Sequence, residues 1–152
     1  MAQRYRLRSL LVLIGVPIGL SGICPGCAGS GPPVEIVLPD GYTGPVYLIE
    51  DEKDGTDIPL VNGRYLVEMP ATCRMRVRSL GPFQRWHKQT LRYASGTGIP
   101  DAKLVPSSDP AQVMERMSNC GTCNGGPVHI EIFVGTDKQV DDFIRGPRPP
   151  LD

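Results

Sequence analysis

The chain has 152 residues, 40% of them apolar and 21% charged. That is a length for one domain and a composition that excludes a fully disordered polypeptide. Lysine plus arginine number 16 and aspartate plus glutamate also 16, so the balance supplies neither a strongly basic nucleic-acid binder nor an acidic tail. Gly 18 and Pro 16 together make about 22% of the chain, roughly twice the usual share, which favours short strands and frequent turns over long helices.

The first segment carries Arg4, Arg6 and Arg8 and no acid, and Leu10 to Leu20 is apolar apart from Gly15 and Gly19, with Pro17 in its middle. Eleven helical residues rise only about 16 Å, against a hydrocarbon core of about 30 Å, so this stretch is short for a spanning helix. A basic start, an apolar core and small residues after it are the parts of an export signal, predicted over residues 1–26, with a permanently uncleaved membrane anchor as the less favoured alternative. The run Cys24-Pro25-Gly26-Cys27-Ala28-Gly29-Ser30 resembles a bacterial lipoprotein signal, with a small residue before Cys27 and a soft tether over residues 27–33. It departs from that pattern in holding Cys24 and Pro25 where Leu and then Ala or Ser are usual. The resemblance implies a diacylglycerol on Cys27. The competing route is cleavage after Ala28 and release, since Gly26-x-Ala28 also fits the small-residue rule. Either route puts the mature chain outside the cytosol, in the cell envelope as a membrane-anchored protein or in a periplasmic or extracellular space. Without residues 1–26 the chain keeps 13 basic and 16 acidic residues, a mildly acidic module with no reason to bind nucleic acid.

In the following segment Val34, Ile36 and Leu38 alternate with Glu35 and Val37, which predicts a half-buried strand. Pro39-Asp40-Gly41 turns the chain, and Pro45 to Ile49 is a near-continuous apolar run, the pattern of a strand covered on both faces. Asp54-Gly55 and Asn62-Gly63 are hairpin signals. After the second, Tyr65, Val67 and Met69 share a face. In Cys73 to Ser79, Cys73, Met75 and Val77 point one way while Arg74, Arg76 and Arg78 point the other. The arginine row offers either an anion-binding stripe or a wet strand face paired with acids of a neighbour, and the second is favoured. Gln84 to Tyr93 is β-prone, with Trp86 read as core or edge packing, and 96–106 reads as loop. Asp109, with Pro110 at the first position, predicts a short helix whose apolar stripe is Val113, Met114 and Met117. Val128 to Val134 is the clearest strand, with Val128, Ile130, Ile132 and Val134 inward and His129, Glu131 and Phe133 outward. Thr136 or Asp137 then caps a helix carrying Val140, Phe143 and Ile144, stopped by Gly146 and Pro147. The whole predicts a mainly β protein, an antiparallel β-sandwich over residues 34–146 with one or two short helices near the C-terminus and a disordered tail at 147–152.

Two stretches carry a family likeness: Leu38-Pro39-Asp40-Gly41-Tyr42-Thr43-Gly44-Pro45-Val46-Tyr47-Leu48 with the Gly63-Arg64-Tyr65 strand ending at Pro70, and His129-Ile130-Glu131-Ile132-Phe133-Val134-Gly135-Thr136. Together they resemble an uncharacterised family of exported bacterial proteins, domain of unknown function 6843, which brings no catalytic residues to carry over. The first half also resembles transthyretin-like and carboxypeptidase-regulatory-like sandwiches, which implies a structural or binding role.

Among residues that could carry chemistry, Cys120 and Cys123 form the sharpest local signal. A redox pair of this spacing works at a helix start, where the dipole stabilises thiolate. Here the pair precedes Asn124-Gly125-Gly126-Pro127 and a strand, so in an oxidising compartment a structural Cys120–Cys123 disulfide is the expectation. The alternatives are free thiols or a zinc site formed by Cys120, Cys123 and His129, with Cys73 or His87 as a further ligand. Glu50, Asp51, Glu52, Asp54 and Asp57 suggest a calcium loop around Gly55, but Val61 stands where its bidentate Glu is needed. No cofactor is expected. The sequence therefore points to an exported, lipid-anchored envelope protein, a non-enzymatic binding or structural module whose partners are the membrane, through its lipid, and an envelope protein or ligand. The alternative is an extracytoplasmic thiol-redox or zinc-dependent enzyme built on Cys120, Cys123 and His129.

Overall fold

The computed structural model describes residues 30–104, 108–121 and 126–151, with the backbone alone over 117–121. Nine strands and one α-helix are present among them: β1 (Val34–Leu38), β2 (Gly44–Glu50), β3 (Leu60–Val61), β4 (Arg64–Glu68), β5 (Arg74–Val77), β6 (Gln89–Tyr93), β7 (Gly98–Ile99), β8 (Met114–Gly121), β9 (His129–Gly135) and α1 (Asp137–Arg145). They form a five-stranded sheet in the order β3-β4-β1-β6-β7 and a four-stranded sheet in the order β5-β2-β9-β8. Val34, Ile36 and Leu38 of β1, Val67 of β4 and Leu91 of β6 meet Val46 and Leu48 of β2, Val77 of β5 and Ile130, Ile132 and Val134 of β9 in a single buried core. The predicted inward faces of β1 and β5 are therefore the observed ones.

The sheets are mixed rather than antiparallel. β1 runs parallel to both of its neighbours, β4 and β6, and β2 runs parallel to β5, while β2 and β8 run antiparallel to β9. Parallel neighbours require a crossover connection, and here the crossover is a strand laid in the opposite sheet. This is why Asp54-Gly55 does not close a hairpin. After β2 the chain crosses to the other sheet, and Gly55 packs against the end of β5, its N–H donating to the Asp51 carbonyl at 2.9 Å. Asn62-Gly63, by contrast, is the predicted hairpin turn between β3 and β4, with positive φ of 50° and 76° as a two-residue turn of this kind demands.

The helix predicted from Asp109 is replaced by β8. Asp109 caps only a turn, accepting from the Ala111 N–H at 2.9 Å, and Met114 onward pairs with β9 across a bulge between Glu115 and Met117. The sheet partner outweighs the local apolar spacing, which fits a helix and a bulged strand alike. The outward face assigned to β9 is also corrected, because His129, Glu131 and Phe133 are all buried. The Phe143 ring of α1 lies 4.8 Å from that of Phe133, and Arg148 reaches Glu131 at 2.8 Å. Val128, expected inward, is partly exposed. Residues 147–151 run on beside this face, where the Pro150 carbonyl accepts from Arg74 at 2.9 Å.

Thr136 is the N-cap of α1 in a complete capping box with Gln139, and the helix gives way at Gly146. Thr136→Ala removes the hydroxyl that accepts from the Gln139 N–H. It is expected to cost about 1 kcal/mol, read as a lowered midpoint in urea unfolding.

Candidate functional site

The residues singled out from sequence do not assemble into one centre among the described residues. His129, in the four-stranded sheet, has Nδ1 3.0 Å from the Pro127 carbonyl and its ring beside Tyr47. His87 lies in the loop before β6, with Nδ1 2.7 Å from the Arg85 carbonyl and its ring edge-on to Phe83. Cys73 is fully buried, and burial pushes its thiol up to about 11. Cys120 sits in register with Ile130 of β9, but its side chain and the whole of Cys123 lie outside the described residues, as does Cys27. No group of three His, Cys, Asp or Glu side chains is placed to hold a metal among the described residues.

The arginine row of β5 is committed to partners. Arg76 pairs with Asp51 at 3.0 Å and Arg78 with Asp57 at 2.9 Å, while Arg74 stacks 5.1 Å over the Tyr47 ring. Pairing with acids of a neighbouring segment is the reading the sequence favoured for this row. The acidic cluster around Gly55 is tied down in the same way: Glu50 accepts from the Leu80 N–H and Asp51 from the Asp54 N–H. The hydrogen bond from Asp54, then that from Arg76, holds the Asp51 carboxyl below its ordinary value.

The arrangement with the most chemical content lies on the five-stranded sheet, where an open groove of about 630 Å³ runs past Lys88, Gln89, Arg92, Asp101, Leu104 and Glu115. Strand alternation puts Glu35 of β1, Arg64 of β4 and Arg92 of β6 on the face away from the core. Glu35 bridges the two arginines, at 2.7 Å from Arg92 and 3.2 Å from Arg64. The Arg92 hydrogen bond, opposed by partial burial and aided by Arg64, keeps the Glu35 carboxyl below its ordinary range. Glu115 is the opposite case. It is only 7% exposed, its Oε1 accepts from the Gln89 amide at 2.8 Å, and its backbone ties the two sheets together through Pro100 and Ala102. Burial, reinforced by the nearby Asp101 charge and opposed by Lys103, pushes its carboxyl up to about 7. A carboxylic acid that titrates near neutrality inside a groove can exchange a proton or a hydrogen bond with whatever enters, which is why such groups mark candidate sites. Sequence reading missed Glu115 because it placed the residue on a helix. Glu35, Arg64 and Arg92 could have been found from the alternation of β1, β4 and β6, had their parallel adjacency been known.

No family model matches the chain, and no curated protein matches it. Among solved structures, the chain is similar to a Bacillus anthracis protein described as a lipoprotein, at 11% identity and a TM-score of 0.44, over 80% of this chain and 82% of that one. A likeness at that level assigns neither a family nor a function.

Proposed function

We propose that this chain is an exported, lipid-anchored cell-envelope module that acts by binding rather than by catalysis, with the groove beside Glu115 as its binding surface. The observation that carries the binding role is a buried carboxyl pushed up to about 7 in an open groove also lined by Lys88 and Arg92. Such a site suits a ligand or envelope partner with a hydrogen-bond donor for Glu115 and an acceptor for the cations. Export and anchoring rest on the order of the N-terminal residues, from the arginines through Leu10–Leu20 to Cys27. The likenesses to domain of unknown function 6843 and to transthyretin-like sandwiches belong to the same reading. So does a Cys120–Cys123 disulfide, which an oxidising compartment favours.

Mass spectrometry of the mature N-terminal peptide tests the anchor. The expected result is an acylated Cys27, with the Cys27→Ser chain lost from the membrane fraction, whereas an unmodified N-terminus at Gly29 overturns it. A photocrosslinking side chain placed at the exposed groove residue Leu104 tests the binding role in whole cells. A discrete adduct is expected there but not from the exposed Ile144 of α1, and identical labelling at both positions overturns the groove.

A further inference from the structure

The loop before β6, Gly81 to Lys88, presents the only tryptophan of the chain to solvent, Trp86 being 81% exposed. The expectation that this ring packs in the core or at a sheet edge is therefore corrected. The base of the loop is firmly held: Leu80 is buried, its N–H donates to Glu50, and Phe83 and Gln84 donate back to Leu80 and Gly81 in a 3₁₀ turn. Arg85 and Lys88 flank Trp86 in the sequence, both exposed, and neither makes an ion pair among the described residues. From Ser79 to Pro100 the sequence holds no aspartate or glutamate. An exposed indole with an unpaired cation on either side in the sequence, in an acid-free stretch of an otherwise mildly acidic mature chain, matches the requirements of a phospholipid headgroup layer.

The position of the loop gives the occupant. The Gly31 N–H donates to the Trp86 carbonyl at 2.8 Å and the Val34 N–H to the Lys88 carbonyl at 2.9 Å, so the loop lies where the chain enters the fold from its N-terminal side. Gly31 follows Cys27 by four positions, a span of at most about 14 Å when fully extended. An acyl group on Cys27 therefore holds this loop within roughly that distance of the bilayer surface.

We propose that Arg85, Trp86 and Lys88 form a membrane-docking loop, in which the Trp86 ring enters the interface of an anionic bilayer and the two cations meet lipid phosphates. The geometry rests on the lipid anchor at Cys27 proposed above. Docking turns a single attachment into a two-point one, because the tether raises the local concentration of the loop at the surface. It would thereby fix the orientation of the groove, which Lys88 also lines.

Because Trp86 is the sole tryptophan, its emission reports this loop alone. The acylated chain is reconstituted into mixed phosphatidylglycerol–phosphatidylcholine vesicles, with and without brominated acyl chains. A blue-shifted emission, quenched by the bromolipid, is expected. Solvent-like, unquenched emission from the anchored chain overturns docking, as does an equal shift on pure phosphatidylcholine. The unacylated Cys27→Ser chain, added to the same anionic vesicles, separates the two proposals. A shift here upholds docking even if mass spectrometry finds Cys27 unmodified, and no shift at any vesicle concentration overturns it. Arg85→Glu with Lys88→Glu is expected to weaken that partitioning roughly tenfold or more, with an unchanged melting transition because both side chains are exposed.

Discussion

Glu115→Gln is expected to stabilise the fold by roughly 3 kcal/mol at pH 8, as an upper figure, from a displacement of the carboxyl from its ordinary 4.5 to about 7. The native state holds its proton more tightly than the unfolded chain. Below pH 4.5 both states are protonated and the carboxyl is neutral in its effect. As pH rises toward 7 the unfolded chain ionises first, stability falls, and the loss is complete once the folded carboxyl ionises too. Gln retains an oxygen to accept the hydrogen bond from Gln89 and abolishes the charge that Asp101 opposes. Urea unfolding of both chains between pH 4 and 8 should therefore give stability curves that converge at acid pH and diverge through neutrality. Parallel curves would mean that Glu115 ionises as freely in the fold as outside it. A stability cost of this kind is what the binding role proposed for the groove would require of Glu115.

Gly55→Ala is expected to destabilise by about 3 kcal/mol or more, the range of severe backbone conflicts. A Cβ there would stand 2.3 Å from the Val77 carbonyl carbon, 2.5 Å from the Arg78 nitrogen and 2.5 Å from the Asp51 oxygen. All three are main-chain atoms, and none can swing aside as the end of a side chain would. The contacts lie where the chain leaves β2 and passes the end of β5, so relief would have to open the parallel β2–β5 pair. Gly63→Ala is the control. Its Cβ would meet nothing within 4 Å, and its φ of +76° alone sets the penalty, about 1 kcal/mol. Paired urea midpoints for the two variants separate close approach from backbone conformation, and equal losses would contradict the crossover geometry.

What could be read in the sequence follows from how local each cause is. β1, β2, β9 and α1 were legible because their apolar spacing, turn residues and cap lie within the segment itself. The Asn62-Gly63 hairpin was legible for the same reason. Asp54-Gly55 is an equally good local signal and misled, because the destination of the chain after β2 is decided by β5, some twenty residues further on. Met114 and Met117 misled in the same way: β9 recruits that segment as a strand, and no residue within it specifies the partner. The groove depends on these distant choices. Glu35 faces two arginines only because β4 and β6 flank β1, and Glu115 is buried only because β8 joins the second sheet at Pro100 and Asp101.

The alternation of the chain between the two sheets has a consequence for how the molecule comes into being. Val34 finds its lateral neighbours at Tyr65 and Gln89, so the strand that starts the domain gains its first ladder only about thirty residues later and its second about fifty-five residues later. Long-range closure of this kind is slow, on the scale of milliseconds to seconds for small β domains. Until those segments arrive, both edges of Val34–Leu38 stand open to any other extended chain, which makes an unfinished molecule prone to mispairing.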